Sequence, residues 1–192
     1  MDAAIAPIKT AVSPKANQAK RGFTLIEVLV SMVVITVGLI SLLAAFGVAM
    51  QATNTAREDM IAKQLAQEAM ESIVTARETA NVTWAAIQNV GPAGAIFVTG
   101  LQPIRQAGAD GIIGTADDAA APAETMNDPG PDGIVGTADD GAPIPLTKFQ
   151  RQIVIGPTAT PDLRTVTITV QYTTTRNVTR SYILSGMVSQ YR

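Results

Sequence analysis

The chain of 192 residues contains no cysteine and no histidine. The first absence rules out disulfides, thiol nucleophiles and thiolate metal centres. The second removes the imidazole needed for a serine-histidine-aspartate triad, histidine-ligated haem or a Cys/His zinc site. Aromatic residues make up only 4% of the chain, with Trp84 the single tryptophan, and no basic patch accompanies it. Nucleic-acid binding therefore has no footprint here. Two further gaps are local: no charged residue lies between Glu27 and Arg57, and no proline lies between Phe23 and Val90.

The charge-free gap is filled by apolar residues. Residues 23–50, built as a helix, would extend about 42 Å against a hydrocarbon core of about 30 Å, enough to cross a membrane once. Ahead of this run, residues 1–22 carry Lys9, Lys15, Lys20 and Arg21 against Asp2, a sum of +3, which leaves −5 for the side chains that follow. Cationic flanks stay in the cytoplasm, so the remainder is expected on the far side. With Pro7, Pro14 and scattered small residues, the first 22 residues are expected to be disordered.

The junction Lys20-Arg21-Gly22-Phe23-Thr24-Leu25-Ile26-Glu27-Val28 resembles the processing site of type IV pilins and type II secretion pseudopilins. The resemblance implies cleavage by the prepilin peptidase between Gly22 and Phe23, N-methylation of Phe23, and Glu27 kept as a charge for assembly. It also implies a pilin-like α+β fold, with other pilins or pseudopilins and an inner-membrane assembly platform as partners. The segment Gln64 to Ile73, QLAQEAMESI, is most similar to PilV-type or secretion I-type minor subunits. The missing cysteines depart from the many major pilins that close a carboxy-terminal disulfide loop. Independently of the family, a carboxylate in apolar surroundings needs a partner, and the amine freed at Phe23 of an incoming subunit supplies one to a neighbour's Glu27.

After Met50 the pattern becomes amphipathic. Ile61, Leu65, Ala69 and Ile73, with Met70 and Val74 beside them, form a stripe for the core, and Arg57, Glu58, Asp59, Lys63, Gln67, Glu68, Glu71 and Arg77 form the polar side. One helix is expected over about 23–79, loosened near Gly38 or Gly47. Strands are expected at Lys148 to Ile155, at Thr165 to Tyr172, where apolar and polar residues alternate, and at about Arg180 to Val188, with Arg176-Asn177 as the hairpin tip and Val178, Tyr182, Leu184 and Val188 on one face. Ala95 to Thr99 is a weaker fourth candidate. The organisation is thus a leader (1–22), an apolar helix (23–50), its amphipathic continuation (51–80) and a head (81–192) of three to four antiparallel strands packed on the helix.

Within the head, GADGIIGTADD (108–118) recurs as GPDGIVGTADD (130–140). Aspartates spaced among turn-forming glycines match the oxygen ligands that calcium takes in six- to eightfold coordination. Asp110, Asp117, Asp118, Asp128, Asp132, Asp139 and Asp140 are the candidate ligands. On an EF-hand-like register the second copy places Asp128 first, Asp132 fifth, Gly133 sixth and Asp139 twelfth; Gly130 stands third, and the first copy opens on Gln106. The copies could also face each other and share an ion. The competing reading is a solvated turn unit that Ile112, Ile113, Ile134 and Val135 pin to the head. The stretch between the copies is expected to have little regular structure, within an insertion at 106–141.

These features point to a non-catalytic minor pilin or pseudopilin, anchored in the inner membrane with an exported head, acting at filament initiation or at the tip. A membrane-tethered or filament-displayed adhesin with a calcium-ordered loop is the alternative.

Overall fold

The computed structural model describes residues 22–174 and 176–191. The expected leader lies outside the described residues except for Gly22. The chain divides into two units, residues 1–49 and 50–192.

The first unit holds the amino-terminal part of a single helix, α1 (Leu25–Glu78), which runs without interruption through Gly38 and Gly47. Every residue from 22 to 50 is exposed, so the chain itself covers none of this apolar surface. The segment is long and apolar enough to cross a membrane, with no buried residue in its most hydropathic window. Its hydroxyls suit that solvent. Ser31, Thr36 and Ser41 each donate to the carbonyl four residues earlier, at 2.7, 2.7 and 2.8 Å, and so carry no unmet donor into lipid.

In the second unit α1 lies on a four-stranded antiparallel sheet ordered β1 (Gln102–Pro103), β4 (Phe149–Pro157), β5 (Leu163–Thr173), β6 (Thr179–Ser189). A separate two-stranded sheet pairs β2 (Thr125–Met126) with β3 (Ile144–Pro145). The architecture is α+β, as expected. The register follows the hydrophobic alternation: Ile153 opposes Ile168, which opposes Leu184, so one face of three strands meets the helix. Val166, Ile168, Val170 and Tyr172 are buried there against Ile61, Leu65, Ala69 and Ile73. Small residues, Ala62, Ala66, Ala69 and Ala76, let helix and sheet approach closely. At 5.2 Å between ring centroids, Phe149 and Tyr172 close one end of the core.

Several expectations are corrected. Ala95 to Thr99 is not a strand; Phe97 alone makes isolated bridges, to Asn89 and Thr115, and the fourth strand is the two-residue β1. Beyond β1, the Asn89 side chain stands in for a neighbouring strand, donating to the Ile153 carbonyl (2.8 Å) and accepting from Ile155 N–H (2.7 Å). Val178 precedes β6 and is exposed, so the inward face of β6 is Tyr182, Leu184, Gly186 and Val188. Glu58 is not on the solvent face but buried, held by Lys148 at 2.5 Å. The stretch between the repeat copies has little regular structure, as expected: the end of a short 3-10 helix (Ala116–Ala120) that begins in the first copy, and the two residues of β2.

Candidate functional site

At the amino terminus, Gly22 and Phe23 are exposed and precede the helix in a non-helical conformation. Thr24 is the cap of α1: its Oγ1 accepts from Glu27 N–H at 3.3 Å, and its carbonyl accepts from the same N–H at 3.1 Å and from Val28 N–H at 3.3 Å. Thr-x-x-Glu is thus half of a capping box, and Glu27 lies in the first turn, where a carboxylate offsets the helix dipole. This second role for Glu27 was legible in the spacing of Thr24 and Glu27 but is hidden when Glu27 is read only as an assembly charge. A cut between Gly22 and Phe23 would spare the cap, since only Phe23 would precede it. It would also add an ammonium at the positive pole of the helix, which Glu27 is placed to offset.

The two repeat copies fold alike. In the first, Asp110 Oδ1 accepts from Ile112 N–H (2.8 Å), Asp117 Oδ2 from Asp110 N–H (3.1 Å), Asp118 Oδ2 from Gly114 N–H (2.6 Å), and Thr115 Oγ1 donates to Asp117 Oδ1 (2.5 Å). In the second, Asp132, Asp139, Asp140 and Thr137 repeat the same bonds at 2.8, 3.2, 2.6 and 2.7 Å. The glycines match as well: φ is +70° and +94° at Gly111 and Gly114, and +72° and +95° at Gly133 and Gly136, a region open to glycine at little cost. The threonine hydroxyl, then backbone N–H groups, hold the carboxyls of Asp117 and Asp139 below the ordinary range. Asp128 lies at the root of the second copy, its carbonyl accepting from Gly141 N–H at 3.0 Å.

Asp110, Asp117, Asp118, Asp132, Asp139 and Asp140 thus each engage their own loop through a carboxylate oxygen. Among the described residues no three acidic side chains come together as a ligand set, and no bond joins one copy's aspartates to the other's. Six- to eightfold coordination of calcium would require these oxygens to turn from their own loops toward a shared ion.

Where the copies differ is in their surroundings. Ile112 and Ile113 are 2% and 5% exposed, packed into the core, and Ile113 N–H donates to Ser72 Oγ of the helix at 3.0 Å. Ile134 and Val135 are 61% and 56% exposed. The expectation that both pairs pin the loop holds for the first copy alone.

A charged cluster at the root of the insertion was not singled out from sequence. Arg151 of β4 is buried and donates to the Leu65 carbonyl at 3.2 Å. Burial lowers its pKa, while Glu68, Glu124 and Asp118 around it act in the opposite sense. Glu124, half-buried, has its carboxyl pushed up to about 7, first by burial and then by the charge of Glu68. Its Oε2 is buried without a hydrogen-bond partner. Arg151 is therefore bonded to the helix and set in the field of carboxylates from the helix, the neck of the insertion and the first repeat copy, whose Asp118 also accepts from Gly108 N–H at 2.8 Å. Next to it a cavity of about 430 Å³ opens, lined in part by Arg105, Asp118 and Ile153.

No curated protein and no solved structure matches the chain. Residues 17–43 match the prokaryotic N-terminal methylation motif, a segment that contains Gly22, Phe23 and Glu27. The match is confined to this amino-terminal segment, which among the described residues leads into one helix long and apolar enough to cross a membrane and then into an α+β unit, and the motif is that of pilin-type processing.

Proposed function

We propose that the protein is a minor pilin or pseudopilin: a non-catalytic subunit cut between Gly22 and Phe23 by prepilin peptidase, methylated at Phe23, and drawn from the inner membrane into a filament at its start or tip. The observation that carries this reading is the methylation motif at residues 17–43, with its exposed Gly22-Phe23 bond and capped helix. The resident apolar helix supports an anchored precursor with its head in the periplasm and an assembly platform as partner. The test is the amino-terminal residue and mass of protein recovered from native membranes. Mature chains are expected to start at N-methylated Phe23, and Gly22→Ala is expected to leave the precursor intact. An unprocessed terminus in both strains would overturn the reading.

A filament-displayed binding module is the second reading, favoured by the solvent-facing second repeat copy. Its calcium-ordered form is separable by chelation. Because each loop closes on its own hydrogen bonds, exchanging millimolar calcium for EGTA is expected to move the Tm by less than about 1 °C. A ligand that binds only the folded state at 100 times its Kd adds about 2.7 kcal/mol. A clear calcium-dependent rise in Tm would restore the ion.

A further inference from the structure

We propose that the second repeat copy is the knob of a head-to-tail contact between copies of this chain, seating Ile134 and Val135 on the exposed helix face formed by Arg57, Met60 and Lys63 of the next copy. The first argument is internal. Two loops share one hydrogen-bond network and one set of glycine conformations, and in one of them the apolar dipeptide is seated against α1 while in the other it is not. The docked copy shows what the undocked one can fill: an apolar strip beside a helix, with a small polar group, Ser72, meeting the loop's N–H.

The second argument is charge. Residues 106–141 carry eight carboxylates and no lysine or arginine. Asp128, Asp132, Asp139 and Asp140 flank the exposed pair in the sequence, so a receptor that is apolar at the centre and cationic at the rim complements it. The chain carries such a surface. On the exposed side of α1, Met60 is unburied, and Arg57 and Lys63 lie three residues to either side of it, on the same helix face. Among the described residues neither cation is paired with a carboxylate. Knob and receptor are different surfaces, so the contact is heterologous and joins one copy to the next without closing a two-fold dimer. The proposal rests on the filament-subunit reading and gives it an interface.

A chain without cysteine makes the test direct. Full-length Met60→Cys and Val135→Cys variants are co-produced in membranes and mildly oxidised, with Thr179→Cys replacing Val135→Cys as the exposed control. A disulfide forms only where Cα atoms come within about 7 Å. The 60–135 heterodimer is expected in about tenfold excess over the 60–179 pair. It should be lost in Arg57→Glu/Lys63→Glu and weakened in 1 M salt, where screening acts within about 3 Å. Equal yields for both pairs, or a Val135→Cys adduct to some other protein in place of this chain, would overturn the proposal. The amino terminus of the same sample is read in parallel. Processed chains that do not cross-link sink the contact and leave the filament reading standing.

Discussion

Arg151→Ala is expected to destabilise the head by about 3 to 5 kcal/mol, the range found when one member of a buried charge cluster is removed and the others are stranded. Arg151 is 5% exposed, donates to the Leu65 carbonyl, and its positive charge acts on Glu68 of the helix, Glu124 of the neck of the insertion and Asp118 of the first repeat copy. Its loss removes that donor and the charge that offsets three carboxylates. Urea unfolding of the full chain in detergent measures the change. Arg151→Lys should recover only part of it, because an ammonium cannot reproduce the planar fork of donors.

The same cluster fixes the direction of a pH effect. The folded-state pKa of Glu124, about 7, lies above its ordinary 4.5, so the folded protein holds more protons than the unfolded chain between those values. This contribution to stability is therefore greatest below pH 4.5 and declines as pH rises through 7. With Arg151 gone, neutralising Glu124 matters more, so the deficit of Arg151→Ala should be smaller at pH 5 than at pH 8. A deficit that does not change with pH would mean that Glu124 does not face the guanidinium in the folded protein.

The repeat supplies the second large effect. Ile112→Ala is expected to cost about 2 to 5 kcal/mol, the usual range for emptying a buried isoleucine site, whereas Ile134→Ala should stay within about 0.5 kcal/mol. The two side chains occupy the same position in loops of the same geometry, so the difference isolates packing from local structure. Gly114 and Gly136 offer a parallel pair. At both, φ near +95° strains any other residue, but a Cβ on Gly114 would also meet Ile153 Cδ1 at 2.4 Å, while one on Gly136 meets nothing within 4 Å. Equal melting temperatures for Ile112→Ala and Ile134→Ala would mean that the first copy is not seated in the core.

This asymmetry marks the limit of what the chain's pattern discloses. The long helix, its Ile61-Leu65-Ala69-Ile73 stripe and the alternation of β5 are local periodicities, and they locate α1 and three strands within a few residues. The processing site is equally local, a run of neighbouring residues. Features that depend on distant partners were not legible. Glu58 reads as one more acid on a polar face until Lys148, ninety positions away, reaches it. Asn89 carries no signal that its amide will take the place of a strand beside β4, and the two-residue β1 is too short to show any period. Arg151 looks like an outward strand charge because its three acidic neighbours come from three separate segments. The two repeat copies, nearly identical in letters, are told apart only by what lies next to them.

Duplication of the Asp/Gly loop also divides labour. One copy is locked between helix and sheet and helps to keep the head folded. Its twin holds the same shape through bonds internal to the loop. Residues 130–140 can therefore be exchanged without unfolding the head, which makes this loop a graft point for displaying a foreign epitope, and such a graft would silence any contact the loop makes without disturbing the core.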